Sequence, residues 1–413
     1  MKSIQEALTA MMPAFEPLGV ERVSLSEALG RNAGQDVRAK SSLPPFSNSA
    51  MDGYAVRAED LTGASEDDPR RLPLVGESRA GGDAPGTLAP GSTMRIFTGA
   101  RIPAAADTVV PQEDAEKTEA GIDFRRAPSA GAHVRAEGSD LAEGDVMVPA
   151  GASIGPGEIG LLAAQRISAL TVYRRPRVAI LSTGDELRDI SEPEEPGTIV
   201  NSNAYALSAQ IRAAGGLPQI IPNVPDALDQ TVEQVRAGLD ADLLITCGGV
   251  SVGDYDLVKE AFDTNGIDAS FWKVRVKPGK PLTFGRHGKT PVVGLPGNPV
   301  SAMVTFETFV RPGLRRMLGD PRPYRTAHEV VLTHPHRHSK GRPELARARV
   351  RRVGDRLEAT MHRLQGSGSL PSMVGIDALV LLAAEVDHFS AGTKLQAILL
   401  RDEHGSETPP FDA

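Results

Sequence analysis

Cysteine is nearly absent from this 413-residue chain, Cys247 being the single one. That excludes a disulfide framework and a multi-cysteine metal site, and it fits a reducing compartment. Aromatic residues are scarce at 4%, so the cores must be assembled from Val, Leu, Ile and Ala. Positive charge is in deficit: 45 Lys and Arg against 53 Asp and Glu leave a net charge of −8, which argues against a general nucleic-acid binder. Long apolar runs are missing too. The stretch 378–384 falls far short of the roughly 18 residues that suggest a bilayer span. Glu6 sits where an export leader needs its apolar segment. The expectation is a cytosolic protein with neither a membrane nor a nucleic-acid partner. What is plentiful is glycine, at 42, and proline, at 32, which predicts many tight turns. With 40% hydrophobic and 24% charged residues the chain is not disordered, and its length suits two to four domains.

From residue 177 to about 318, strand-like and helix-like stretches alternate. Arg177-Val178-Ala179-Ile180-Leu181 reads as a buried strand that stops at Ser182-Thr183-Gly184. A helix capped by Asn203 is expected to run to Ala214, where Gly215-Gly216 stops it. A strand over 217–224, a helix over 226–239 and a strand over 242–247 come next. After a third helix the pattern predicts strands over 270–277 and 281–285, then Val292-Val293-Gly294-Leu295, and a long helix opened by Asn298-Pro299. Such alternation predicts a mainly parallel sheet covered on both faces. The flanks read as β-rich, with helical stretches only at 3–12 and 26–29 before residue 175. Beyond residue 321, strands are expected at 329–332, 345–353, 378–382 and 394–400. In the second of these, Arg347, Arg349 and Arg351 alternate with Ala348 and Val350, the period of a strand with one wet face. The polar tail after Arg401 is expected to be loose.

Three glycine-rich turns fall at the ends of predicted parallel strands, where open α/β sheets bind ligands. They are Ser182-Thr183-Gly184-Asp185-Glu186-Leu187, Gly248-Gly249-Val250-Ser251-Val252-Gly253-Asp254-Tyr255-Asp256, and Gly294-Leu295-Pro296-Gly297-Asn298-Pro299-Val300-Ser301. Free backbone N–H groups at such turns make anion sites. Lys273, Arg275, Lys277 and Lys280 cluster around Trp272 and Pro278-Gly279, and the period-two spacing predicts the first three on one strand face. In an acidic protein this local cationic excess points to a clamp for phosphate or an oxyanion. Asp185, Glu186, Asp226, Asp254 and Asp256 stand beside the turns, a setting for phosphate bound with Mg²⁺; Asp226 reads equally as a helix cap. His334, His336 and His338 alternate, but Pro335, Arg337 and Lys340 make a solvated edge the preferred reading over a metal site. Cys247 reads as a core thiol, not a nucleophile.

The segment Pro44-Pro45-Phe46-Ser47-Asn48-Ser49-Ala50-Met51-Asp52-Gly53-Tyr54-Ala55-Val56 resembles the hallmark of the molybdopterin molybdenumtransferases. Met94-Arg95-Ile96-Phe97-Thr98-Gly99-Ala100, the three glycine turns and Lys277-Pro278-Gly279-Lys280-Pro281 match that family in order, and Gln365-Gly366-Ser367-Gly368-Ser369 stands out near the C-terminus. The resemblance implies an elongated, multidomain homodimer. An α/β three-layer molybdopterin-binding domain would occupy 176–320. Residues 1–50 with 140–175 would form a discontinuous N-terminal domain, 51–139 an inserted β-rich domain, 321–403 a β-barrel-like domain and 404–413 a loose tail. It also implies the reaction: adenylylated molybdopterin and molybdate combine, with Mg²⁺, to give molybdenum cofactor and AMP. Carried over by position, Asp52, Thr98, Glu186, Asp256, Lys273 and Lys277 become catalytic candidates, with Glu186 and Asp256 as Mg²⁺ ligands. Asp140, Thr183, Gly184, Asp226, Gly248, Gly249, Ser251, Gly253, Lys280, Pro296, Gly297, Asn298, Pro299 and Ser301 become substrate-binding candidates. Which of Asp254 and Asp256 acts stays open. Implied partners are a second copy of the chain, the adenylyltransferase and molybdoenzyme-maturation proteins.

Two other readings compete. The α/β segment alone also resembles the molybdopterin adenylyltransferase, from which the Pro44-to-Val56 motif and the β-rich flanks distinguish this chain. A third reading, by analogy of fold alone, is a non-catalytic dimeric scaffold.

Overall fold

Four adjacent parallel strands, three of them buried, organise the centre of the chain, in a computed structural model that describes residues 1–223, 227–248 and 257–401. The sheet runs Leu217–Ile220, Arg177–Ser182, Leu243–Cys247, Thr290–Leu295, Pro281–His287, Asp268–Lys273. The first four strands are mutually parallel, and Pro281–His287 lies antiparallel to both of its neighbours. Because side chains alternate between faces, an unbroken apolar strand feeds two cores. Val178 and Ile180 join one cluster with Ile245, Leu295, Leu207, Ile211 and Phe309. Ala179 and Leu181 join the other, with Leu244, Val235 and Phe262. Helices Ser202–Ala213 and Pro299–Thr305 thus cover one face, and Leu228–Gly238 and Leu257–Thr264 the other. The result is the expected three-layer α/β arrangement. The helix opened by Pro299 continues through a π-helical turn, Phe306–Val310, into Arg311–Met317.

Downstream, Ala327–Leu332, Arg356–Met361, Glu344–Val353, Ala378–Leu382 and Lys394–Leu399 close into a five-stranded barrel around Val330, Ala348, Val380 and Phe389. Upstream, the helix Ile4–Met11 starts with a capping box in which Ser3 and Glu6 satisfy each other's backbone N–H groups. The chain clusters into two compact units: Met1–Gln35, Ala150–Gly155 and Ala169–Ala413 form one, Asp36–Pro149 with Pro156–Ser168 the other. In the second, the strand Gly53–Val56 is central to a four-stranded sheet, between Thr93–Ile96 and Thr108–Pro111, over the apolar cluster of Tyr54, Leu61 and Phe124. Among the described residues, no helix is long and apolar enough to cross a membrane.

Several local expectations are corrected. Asn201, not Asn203, caps the helix Ser202–Ala213: its side chain accepts from Ala204 N. The strand expected over 217–224 ends at Ile220, and the next helix is Leu228–Gly238. Pro156–Ala164 is an unpredicted helix; Gly157 and Gly160 gave it the look of a turn, while Pro156 occupies the first turn, where proline is tolerated. Arg356–Met361 was also missed as a strand. The strand expected over 270–277 is Asp268–Lys273. Beyond it the backbone leaves the sheet to pair with Lys2, whose N–H and carbonyl bond Lys273 O and Arg275 N. Lys273, Arg275 and Lys277 therefore do not share one strand. Finally, Arg347 is fully buried where a wet face was expected. Its guanidinium bonds Ser372 Oγ and the carbonyls of Leu364 and Gly366, and burial pushes its pKa down. The tail 402–413 lies outside the described residues.

Candidate functional site

The strands Arg177–Ser182, Leu243–Cys247 and Thr290–Leu295 are neighbours and parallel, so the turns leaving them emerge side by side. They open on a cavity of about 990 Å³ lined by Thr183, Glu186, Gly248, Pro296, Gly297 and Asn298, among others. The turns pack closely. At Gly184, φ is +146° and a Cβ would meet Glu186 Oε2 at 2.6 Å, so only glycine lets that carboxylate fold back over the turn. Asn201 Oδ1 accepts from Ser182 Oγ at 3.3 Å, and Asn201 Nδ2 donates to Asn223 Oδ1 at 2.6 Å. Asn203, in the first turn of the same helix, donates to Cys247 Sγ and to the Gly297 carbonyl. Cys247 is buried, and burial pushes its thiol up to about 12.

The loop Lys277-Pro278-Gly279-Lys280 forms a second wall. Lys277 pairs through its backbone with the barrel, its N–H donating to Pro343 O and its carbonyl accepting from Leu345 N. Its Nζ donates to Ser339 O at 2.8 Å. At Gly279, φ is +103° and a Cβ would sit 2.3 Å from Thr305 Cγ2, so the turn packs on the helix behind the cavity. Arg342 reaches Val276 O through Nη1 at 3.1 Å. The Gln365-to-Ser369 motif closes a third side: Asn298 Nδ2 donates to Ser367 Oγ at 3.2 Å and Val300 N to Ser367 O at 3.0 Å. Arg347 holds this loop from within the barrel. Four cations, Lys277, Lys280, Arg337 and Arg342, face two carboxylates, Glu186 and Glu344, around a cavity in an acidic protein. The arrangement is suited to an anionic ligand with more than one charged group.

Not every expected residue gathers there. Thr183, Gly184, Glu186, Gly248, Lys277, Lys280, Pro296, Gly297, Asn298, Pro299 and Ser301 all belong to these turns or the cavity wall. Lys273 lies apart, in an open hollow beside Met1, Lys2 and Trp272. Asp52, Thr98 and Asp140 belong to the other compact unit. There Asp52 Oδ1 accepts from Thr98 N at 2.7 Å and from Thr98 Oγ1 at 2.8 Å, and these bonds hold its carboxyl below the usual range. Asp140 Oδ1 accepts from Ser139 Oγ at 3.2 Å. Asp226, Gly249, Ser251, Gly253, Asp254 and Asp256 lie outside the described residues.

The histidines depart from the solvated edge expected of them. His334 is exposed, but His336 and His338 line the cavity. Burial pushes the His336 imidazole down, against the pull of Glu344. His338 packs on Phe389 with ring centroids 5.6 Å apart, and its side chain is 2% exposed. Nothing local in the sequence marks Asn201, Arg342 and Glu344, and Asn203 reads there only as a helix cap. Among the described residues, no group of three or more His, Cys, Asp or Glu could hold a metal ion.

Residues 2–165 match the MoeA N-terminal region (domain I and II), 179–316 the model described as "Probable molybdopterin binding domain", and 329–400 the MoeA C-terminal region (domain IV). The chain is 40% identical to molybdopterin molybdenumtransferase 2 of Mycobacterium tuberculosis over 410 residues, covering 96% of this chain and 99% of that one. It is 34% identical to the molybdopterin molybdenumtransferase of Bacillus subtilis, covering 94% and 92%. A crystal structure of the molybdopterin biosynthesis moeA protein from Pyrococcus horikoshii OT3 superposes with a TM-score of 0.84 at 28% identity, covering 97% of this chain and 100% of that one.

Proposed function

Since this chain belongs to the molybdopterin molybdenumtransferase family, we propose that its cationic cavity is where adenylylated molybdopterin meets molybdate, releasing AMP and forming molybdenum cofactor. The chain is a transferase of molybdenum-cofactor synthesis. The observation that carries the finer reading is the convergence of Lys277, Lys280 and Arg342 with the first and third glycine turns and Gly248 on one cavity.

The physical problem is repulsion. Two dianions about 5 Å apart repel by about 3 kcal/mol in water, and by about 13 kcal/mol at an effective dielectric near 20. A site that excludes water must therefore replace its screening with fixed positive charge. Lys277 and Lys280 supply mobile point charges, Arg342 a planar fork, and the turn N–H groups partial charges already oriented. Breaking the adenylate linkage then requires positioning and charge neutralisation more than a covalent nucleophile. Mg²⁺ keeps most of its waters and takes one or two carboxylates, a donor set that Glu186 on the cavity wall fits. Asp256 is named with it on its motif alone. When bound, Mg²⁺ would supply further neutralisation at the phosphate oxygens. Asp52, Thr98, Asp140, Asp226 and Lys273 are assigned to the same reaction on their motifs. A homodimer, and exchange with the adenylyltransferase and molybdoenzyme-maturation proteins, complete the proposal.

The test is to incubate the purified protein with adenylylated molybdopterin and Mg²⁺ and to follow AMP. Release that requires molybdate is the expected result. Release at the same rate without molybdate, or none with it, overturns the proposal.

A further inference from the structure

We infer that His338 is the positioning residue for Lys277. The inference rests on Lys277 being an anion ligand, as proposed above, and adds how its ammonium is held. A lysine head on a four-carbon stem has many rotamers, and a cavity that needs one of them must supply a fixed acceptor. Here that acceptor is the backbone carbonyl of Ser339, 2.8 Å from Lys277 Nζ. A carbonyl in a surface connection is a poor anchor unless its own peptide is immobilised.

His338, the residue before Ser339, holds the chain that enters it. Its backbone N–H donates to Asp387 O at 3.1 Å. Its ring Nε2 faces two carbonyls, Ala383 O at 3.0 Å and Val386 O, and so carries the donated proton. Its ring lies against Phe389, and its Nδ1 is 3.4 Å from Glu344 Oε2. Glu344 in turn sits between Pro343 and Leu345, the two residues that bond the backbone of Lys277. The imidazole therefore anchors the chain where it enters Ser339, one residue before the carbonyl that holds Lys277, and its carboxylate neighbour Glu344 flanks the Lys277 backbone from the other side. Lys340 shares the peptide of the Ser339 carbonyl, but its ion pair with Asp387 joins two exposed side chains, and Gly341 N to Ala384 O lies one residue farther on; the His338 ring is the enclosed restraint beside this carbonyl.

The experiment uses the full chain in five forms: wild type, His338→Ala, His338→Gln, Lys277→Ala and the double variant His338→Ala/Lys277→Ala. Lysines are acetylated under limiting reagent and read by mass spectrometry. Released from its anchor in His338→Ala, Lys277 should label at least about fivefold faster, with Lys280 and Lys273 changed less than about twofold; His338→Gln, whose amide can donate to the same carbonyls, should return Lys277 close to wild type. In the AMP assay, His338→Ala should raise the KM for molybdate at least about tenfold with kcat within about threefold. Added to Lys277→Ala, it should cost less than about twofold more, because both changes remove one interaction. Unchanged labelling of Lys277, or losses that multiply in the double variant, would overturn the inference. A normal molybdate KM in Lys277→Ala alone would instead sink the anion-ligand reading, leaving the labelling to decide the positioning. Should His338→Ala not fold, His338→Asn takes its place: its shorter amide should behave like Ala, and behaviour like Gln would count against the inference.

Discussion

Asn203 donates from one amide nitrogen to two different strand ends, reaching Cys247 Sγ at 3.3 Å and the Gly297 carbonyl at 2.6 Å. The first lies at the end of the central strand and the second in the turn that opens the helix behind the cavity. A single side chain on the covering helix thereby ties the end of one strand to the glycine turn of its neighbour.

Asn203→Ala should consequently weaken catalysis more than it weakens the fold. One hydrogen bond of this kind contributes about 1 kcal/mol to stability, so the urea midpoint should fall slightly. Misplacing the turn by a fraction of an ångström should cost AMP release about tenfold or more. Paired urea melts and steady-state kinetics check both halves; a large loss of stability with normal kinetics would contradict the assignment.

Lys277→Ala should leave the protein folded, because the backbone pairing of Lys277 with Pro343 and Leu345 does not need its side chain. Its expected loss in kcat/KM is about 10²-fold or more, the scale of removing one group that stabilises developing charge. Circular dichroism and AMP release measured together check this. The defect should deepen at low ionic strength relative to wild type, where the missing charge would have been least screened.

Cys247 should be chemically silent. With its thiol pushed up to about 12 by burial, almost none is thiolate near neutral pH. Iodoacetamide at pH 8 should leave the native protein unmodified and alkylate it fully in urea. Cys247→Ala should retain AMP release within about threefold, since no covalent step through sulfur is proposed. Rapid alkylation of the native protein with loss of activity would reopen the nucleophile reading.

Much of this architecture was legible in the residues, for reasons that can be named. Val178 to Leu181 form an unbroken apolar run because both sides of the strand are covered, and the glycine turns mark where parallel strands end. The histidines were not legible. Pro335, Arg337 and Lys340 make their surroundings look wet, yet His338 is enclosed by Ala383, Val386 and Phe389, some 45 to 50 residues farther on. Arg347 misled in the same way: its alternation with Ala348 is that of a half-exposed strand, but the 364–366 loop folds over it and takes its hydrogen bonds. Lys273 and Lys277 looked like one face until Lys2 intervened and ended the strand between them. Period and composition report an element's own preferences; they are silent about a cover that arrives from far along the chain.

Because Lys277 is stitched by its main chain to Pro343 and Leu345, the barrel is no detachable appendage. Translation halted at Gly319 would leave the sheet, its helices and all three glycine turns intact in sequence, yet the lysine meant to greet the substrate would dangle without its scaffold. The smallest autonomous version of this catalyst has to include the C-terminal strands.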